Sequence, residues 1–110
     1  MLVDTIVQDN VWEISSLILD YNNIRDQCSL ALTPILQPPK GIPVYPHLRE
    51  LSIAKNNLGD RGVAKVVTLL YTNRVLKSLN LSDNGAEQFS GLAIKTLLTD
   101  NNVLEHLDIR

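Results

Sequence analysis

The sequence contains few residues that cross-link a chain or bind metals. Among its 110 residues are one cysteine, Cys28, and two histidines, His47 and His106. A single cysteine cannot form a disulfide within the chain and favours a reducing compartment, so we expect a cytoplasmic location, with a nuclear one possible. His47 has no second histidine, cysteine or carboxylate at metal-ligand spacing. We therefore expect neither a metal nor another cofactor.

The sequence also lacks concentrated positive charge and long apolar runs. The net charge is -2, and the ten basic residues are scattered along the chain, so no basic patch is available to neutralise a phosphate backbone. Apolar runs are short, far below the roughly 20 residues needed to cross a bilayer. We therefore expect neither nucleic acid nor a membrane as a partner.

What the sequence does contain is a repeat. The pattern L-x-x-L-x-[LI] recurs with a constant 28-residue period at Leu48-Leu51-Ile53, Leu76-Leu79-Leu81 and Leu104-Leu107-Ile109. A related copy, Ile14-Leu17-Leu19, precedes the first of these at a longer spacing. A period in this range is typical of proteins built from stacked supersecondary units.

Each copy predicts one strand followed by one helix. Leu51 and Ile53 alternate with polar or small residues, as in a half-buried strand. Apolar residues of the segment 63–70 then follow helical spacing, and Asp60 is expected to cap the start of this helix. Pro34 lies inside the corresponding pattern that follows the upstream copy, Ile14-Leu17-Leu19, and predicts a kinked or short helix there.

The copy that begins at Leu76 predicts a strand near 77–82 and a helix near 88–99. Its apolar side chains are expected to face the core fully or in part, namely Leu92, Ile94, Leu97 and Leu98. Phe89 is expected to fill the space left at Ala86, where the preceding copy has Leu58.

An asparagine stands three positions after the last apolar residue of three copies, at Asn22, Asn56 and Asn84. A chain that turns away from a strand leaves backbone groups buried between neighbouring copies. A short amide side chain carries both donors and an acceptor for such groups. We therefore predict a structural role for these asparagines and not a ligand-binding one.

The unit L-x-x-L-x-L-x-x-N-x-L-G-D-x-G, most complete in residues 48–62, closely resembles the leucine-rich repeat of the ribonuclease-inhibitor type. The resemblance extends from about residue 11 to the end of the sequence. It implies an α/β fold, a right-handed βα solenoid forming a segment of a horseshoe. A short parallel sheet would line the concave face and helices the convex face. The resemblance also implies a cytosolic or nuclear protein that binds other proteins through the concave face.

On this interpretation residues 1–110 are a single leucine-rich-repeat domain. We expect it to be a fragment of a longer repeat protein, or else to have its ends covered by a partner, so end-to-end association is possible. The expected repeats are 14–47, 48–75, 76–103 and an incomplete 104–110, preceded by residues 1–13 as the tail of an earlier helix or an N-terminal cap.

Residues 37–46 form a proline-rich insertion in the first repeat. Proline favours an extended backbone and removes hydrogen-bond donors, so this segment is expected to be a loop. It is either an inert insertion or a docking loop with Tyr45 as its aromatic anchor.

The alternation of each strand assigns its outward side chains. Because neighbouring strands lie about 4.8 Å apart, these form three rows, Ser16-Glu50-Ser78-His106, Ile18-Ser52-Asn80-Asp108 and Asp20-Ala54-Ser82-Arg110. The expected partner-binding residues on the concave face are Asp20, Glu50, Ser52, Ser78, Asn80, His106, Asp108 and Arg110.

An enzymatic function is not expected. Ser78 and His106 would be neighbours, but Asp108 should lie roughly 6.5 Å from His106 along the strand, too far to orient its ring. An open sheet also offers no oxyanion hole. We therefore expect a non-catalytic module that binds a protein partner through the concave face.

Two other functions remain open. The repeat type resembles that of GTPase-activating proteins for the nuclear-transport GTPase Ran, although Asp20, Glu50 and Arg110 match their functional residues poorly. A regulatory leucine-rich-repeat domain is therefore one alternative. The other is a structural piece of a cytoskeletal or other large assembly.

Overall fold

The structure is a computed structural model that describes residues 14–37 and 47–110. Its strands are β1 (Ser16–Ile18), β2 (Glu50–Ser52), β3 (Ser78–Asn80) and β4 (His106–Asp108). Its α-helices are α1 (Cys28–Leu36), which follows a 3-10 turn at Arg25–Gln27, α2 (Gly59–Leu69) and α3 (Gln88–Asp100). The expected segment 1–13 and residues 38–46 of the proline-rich insertion, including Tyr45, lie outside the described residues.

The four strands form one parallel sheet in the order β1-β2-β3-β4. Leu17, Leu51, Leu79 and Leu107 are aligned across it as successive partners. The same backbone hydrogen bond recurs past each strand end, from Leu19 N to Ser52 O, from Ile53 N to Asn80 O and from Leu81 N to Asp108 O. Each copy of the sequence pattern therefore adds one strand in equivalent register, and the longer spacing after β1 leaves that register unchanged.

One face of the sheet and the helices share a single hydrophobic core. Its strand residues are the pattern leucines and isoleucines, and its helix residues include Leu32, Ile35, Val63, Val66, Val67, Ile94 and Leu97. Helix α2 packs against both α1 and α3. The fold is thus an α/β repeat, with the helices on one side of a parallel sheet.

Helix α1 is short, as Pro34 predicts. It has 9 residues, compared with 11 in α2 and 13 in α3. Pro34 lies inside it and has no N–H to donate to the carbonyl of Leu30, one turn earlier. The helix ends at Leu36, just before the N–H of Gln37 donates to Thr33 O at 2.9 Å.

The prediction for the apolar face of α3 was only half right. Ile94 and Leu97 are buried, whereas Leu92 is 69% exposed and Leu98 56% exposed. The equivalent residues of the preceding repeat, Ala64 in α2 and Leu70 just after it, are buried, because α3 packs against α2. No helix within the described ranges covers the far side of α3, so its residues at these positions face solvent.

The prediction for Phe89 was wrong. Its side chain is half exposed and does not fill a gap beside Ala86. Instead the ring lies against the guanidinium group of Arg61, with the Cζ atom 4.9 Å from the ring centroid. Phe89 and Arg61 occupy equivalent positions of adjacent repeats, which brings their side chains together across the α2–α3 contact.

Candidate functional site

A ladder of asparagine side chains connects the loops that follow the strands. The amide nitrogen of Asn56 donates to Ile53 O (2.8 Å) in its own repeat and to Leu19 O (3.0 Å) in the preceding one. Its amide oxygen accepts from the N–H groups of Asn22 (2.8 Å) and Ile24 (3.3 Å). Asn56 is fully buried. This one amide therefore bonds to backbone groups of two adjacent repeats.

Asn84 repeats this arrangement one strand further along. It donates to Leu81 O (3.1 Å) and Ile53 O (2.9 Å), and it accepts from Asn56 N (2.8 Å) and Leu58 N (3.4 Å). Asn22 differs, because its side chain is exposed and its amide donates only to Leu19 O and Asp20 O of its own repeat.

A second asparagine ladder, which we did not predict, connects the turns that lead from each helix into the next strand. Asn73 donates to Leu36 O (3.1 Å), and Asn101 donates to Leu70 O (3.2 Å) and Asn73 O (3.0 Å). Both side chains also accept from the backbone N–H groups two and three positions ahead. The two asparagines are separated by one repeat period, so this period carries the signal that could have identified them.

Asp60 caps a different helix from the one predicted. Asp60 does not cap its own helix. Its carboxylate accepts hydrogen bonds from the backbone N–H groups of Glu87 (2.7 Å), Phe89 (2.9 Å) and Ser90 (2.9 Å), at the start of α3. The Ser90 hydroxyl and these N–H groups lower the pKa of the Asp60 carboxyl from 3.8 to about 2. Asp60 therefore caps the helix of the next repeat and joins two repeats, as the asparagines do.

These hydrogen bonds support an open face of the sheet, which we define as the outward side chains of β1 to β4 together with residues 20, 54, 82 and 110 just beyond them. The register places Ser16, Glu50, Ser78 and His106 in one row and Ile18, Ser52, Asn80 and Asp108 in the next. The third row continues by backbone hydrogen bonds from Tyr21 N to Ala54 O, Lys55 N to Ser82 O and Asp83 N to Arg110 O. All eight residues assigned to a partner-binding surface lie on this face.

Asp20 and Ala54 depart from the expected pattern on the open face. Asp20 Oδ1 accepts from the Ser52 hydroxyl (2.6 Å) and from Ala54 N (2.8 Å). Ala54 was expected to face outward, but it is only 6% exposed. Ala54 is buried because its methyl group is small and because the side chain of Asp20 extends to the backbone N–H of Ala54.

Two large side chains with apolar surface, Ile18 on the open face and Tyr21 beside it, are exposed at the β1 end. Ile18 is 67% exposed and Tyr21, just beyond the strand, is 71% exposed. The ammonium group of Lys55 donates to the Tyr21 hydroxyl at 2.6 Å, and this hydrogen bond raises the pKa of Lys55. Neither Ile18 nor Tyr21 was among the eight residues predicted to bind a partner, although Ile18 was assigned to an outward row.

At the β4 end the open face carries an ion pair. Arg110 donates to Asp108 through Nε (3.2 Å) and a terminal nitrogen (2.9 Å). These contacts lower the pKa of Asp108 and raise that of Arg110. Ser78 and His106 are neighbours across β3 and β4, but Asp108 is bound to Arg110 and does not orient the ring of His106. Serine, histidine and aspartate are therefore close to one another here, but they are not arranged as in a hydrolytic triad.

The middle of the open face forms a shallow groove of about 240 Å³. It is lined by Ser16, Ile18, Glu50, Leu51, Ser52, Ser78 and Asn80. Within residues 14–37 and 47–110, no group of three or more histidine, cysteine, aspartate or glutamate side chains is placed to hold a metal ion. The helices in the same ranges are too short or too polar to cross a membrane.

Comparison with known proteins identifies the repeat in the central part of the chain. A family model described as Leucine Rich repeat matches residues 46–67 and 72–85. The first segment contains β2, Asn56 and most of α2, and the second contains β3 and Asn84. No curated protein matches the sequence. Leucine-rich-repeat domains generally mediate protein–protein interactions and are typically non-catalytic.

Proposed function

We propose that this chain is part of a leucine-rich-repeat solenoid of the ribonuclease-inhibitor type and acts as a non-catalytic module that binds a protein partner. In this proposal the open face is the concave face of the solenoid. The 28-residue period, the equivalent register of all four strands and the leucine-rich-repeat match support it. The single cysteine supports a cytoplasmic or nuclear location.

The observation that carries this proposal is the contrast between the two faces of the same strands. On one face Leu17, Leu51 and Leu79 are buried in the core. On the other face, the side chains of Ser16, Ile18, Glu50 and His106 are exposed. The asparagine ladders and Asp60 join adjacent repeats by hydrogen bonds. A surface that is preorganised in this way loses less entropy when a partner binds.

The open face alone is too small for a standard protein–protein interface. Four strands and three rows span roughly 14 Å by 13 Å, which is small beside the ~800 Å² that each partner contributes to a standard interface. A partner held by Glu50, Ser52, Ser78, Asn80, His106, Asp108, Arg110 and Asp20 must therefore also contact the loops that follow the strands. Tyr21, Lys55 and Asp83 occupy equivalent positions at that edge.

Site-specific photo-crosslinking tests the assignment. A photoreactive amino acid would replace Ser52 or Asn80 on the open face and, as matched controls, the exposed Lys65 of α2 or Thr96 of α3. Each variant would be illuminated in an extract of cells that express the protein, and the adducts identified by mass spectrometry. We expect a common protein adduct from the two open-face positions and none from the helix positions. Adducts that form only from Lys65 and Thr96 would place the binding surface on the helices instead.

A further inference from the structure

Two large exposed side chains and the carboxylate of Glu50 lie at the β1 end of the open face. We call Ile18, Tyr21 and Glu50 the β1 corner. Ile18 and Tyr21 are 67% and 71% exposed, so neither contributes much to the core. Aromatic side chains are enriched among residues that dominate binding energy. The β1 corner is thus the part of the open face where burial by a partner would release the most apolar surface from water.

Tyr21 is also held in an unfavourable backbone conformation. Its φ is 62°, in the left-handed region, as are those of its repeat equivalents Lys55 (57°) and Asp83 (58°). A bulky side chain at positive φ is disfavoured, whereas glycine or asparagine tolerates it. The tyrosine therefore adds a conformational cost and little burial to the fold.

Three charged side chains lie around Ile18 and Tyr21, namely Asp20, Glu50 and Lys55. Within the described part of the chain the carboxylate of Glu50 has no hydrogen bond or ion pair, and it lines the shallow groove with Ile18. Lys55 lies further along the same segment, beyond the end of β2 and beside Tyr21. The carboxylate of Asp20, between Ile18 and Tyr21 in the sequence, already accepts hydrogen bonds from the Ser52 hydroxyl and from Ala54 N. Glu50 is therefore the carboxylate beside Ile18 that is left without a partner among the described residues.

We propose that the β1 corner binds an extended segment of a protein partner that carries a large apolar side chain and a basic side chain two positions from it. The apolar side chain packs on Ile18 and Tyr21, and the basic side chain pairs with Glu50. This inference rests on the proposed function and names the chemistry of the segment that the open face selects.

The spacing follows from the sheet. Ile18 is the cross-strand partner of Ser52, and Glu50 precedes Ser52 by two positions. With strands about 4.8 Å apart and a rise of about 3.3 Å per residue, Ile18 and Glu50 are about 8 Å apart. Side chains two positions apart in an extended peptide lie on the same side of it, roughly 6.5 Å from each other.

Peptide display on the folded chain tests this proposal. Random heptapeptides on phage would be selected against the immobilised full chain and, in parallel, against Glu50→Lys. On the wild type we expect enrichment of a large apolar residue with lysine or arginine two positions away. On Glu50→Lys we expect the charged residue to change from basic to acidic at the same spacing. Asp100→Lys reverses an exposed acidic residue of α3 and should leave the wild-type preference unchanged.

A binding measurement on one enriched synthetic peptide completes the test. Ile18→Ser should weaken binding about tenfold or more, because it removes the apolar contact. Leu30→Ser, at an 81% exposed aliphatic residue of α1, should change the Kd less than about twofold. Circular dichroism would verify that each variant is folded.

The outcomes separate this inference from the proposed function. Unchanged charge preference on Glu50→Lys, unchanged binding to Ile18→Ser, or no enrichment on the wild type would overturn the inference. If enriched peptides instead depend on His106 or Asp108, the inference fails while the open face remains the binding surface. If they depend only on Phe89, on the helix side, the proposed function fails as well.

Discussion

At the residue scale, the fold depends on a few polar side chains that bond to backbone groups of a neighbouring repeat. Asn56, Asn84 and Asn101 each combine donors and an acceptor in one short side chain, and all three are buried. An unpaired buried backbone group costs about 1–3 kcal/mol. The asparagines therefore matter less for the bonds they add than for the unpaired groups they prevent.

Substitution of Asn56 tests this directly. Asn56→Ala removes the side-chain acceptor of Asn22 N and Ile24 N, and we expect the free energy of unfolding to fall by about 2 kcal/mol or more. Asn22→Ala is the matched control, because Asn22 is exposed and Leu19 O keeps its bond from Asn56. It should cost about 1 kcal/mol or less. Equal losses for the two variants in urea denaturation would contradict the ladder as the source of stability.

Asp60 predicts a specific dependence of stability on pH. Its pKa is about 2 in the folded protein and about 3.9 in an unfolded chain. A lowered folded-state pKa contributes stability that is present above the unfolded value and lost as pH falls through the folded one. We expect the free energy of unfolding to decline between about pH 4 and pH 2, and to decline less in Asp60→Asn than in the wild type. Parallel declines in the two proteins would count against the cap.

Asp100→Asn serves as the control for this pH dependence. It also removes one carboxylate, at the exposed last residue of α3. Its pH profile should follow that of the wild type. If Asp100→Asn flattened the decline as much as Asp60→Asn, the effect would reflect overall charge and not the hydrogen bonds at the start of α3.

At the scale of elements, the short strands of the sheet are not stable on their own. Their hydrogen bonds continue into the loops, as from Tyr21 N to Ala54 O and from Lys55 N to Ser82 O. The loop residues Tyr21, Lys55 and Asp83 share a left-handed conformation that turns the chain away from the sheet. The strand and the loop that follows it are therefore both hydrogen-bonded to the neighbouring repeat.

Two glycines, one at the turn into α2 and one inside α3, are expected to respond oppositely to substitution by alanine. Gly59 begins α2 at a φ of +75°, whereas Gly91 lies inside α3, and an added Cβ meets no atom within 4 Å at either position. Gly59→Ala should therefore destabilise the protein by about 1–2 kcal/mol, from backbone conformation alone. Gly91→Ala should stabilise it by about 0.5–1 kcal/mol, because alanine is the better helix former. Thermal unfolding of both variants checks the opposite signs, and a shift of both in the same direction would contradict this reading of the turn.

At the scale of the whole molecule, what could be predicted from the sequence is what depends on the repeat period. Leu51 and Leu79 define both the buried face and the register, so the strands and open rows followed from their spacing. Asp60 could not be assigned correctly, because its target belongs to the next repeat and becomes a neighbour only when repeats stack. The exposure of Leu92 likewise depends on what packs beside α3, which helical spacing does not indicate.

The sequence indicates less about the proposed binding surface than about the fold. Glu50, Asn80 and His106 were placed by alternation alone, which assigns a face but not the importance of its residues. The prominence of Ile18 and Tyr21 depends on their exposure and on the positive φ of Tyr21. Neither property can be read from spacing. The binding role of the open face therefore has to be measured.

The most direct measurement is the affinity of the crosslinked partner for two sets of surface variants by isothermal titration calorimetry. Ser52→Arg and Asn80→Arg place bulk and charge in the centre of the open face, while Lys65→Glu and Thr96→Arg alter the exposed helix surface. We predict that each open-face substitution raises the Kd about tenfold or more, and that each helix substitution changes it less than about twofold. Full affinity of Asn80→Arg together with loss of binding by Thr96→Arg would contradict the central claim that this protein binds its partner through the open face of the sheet.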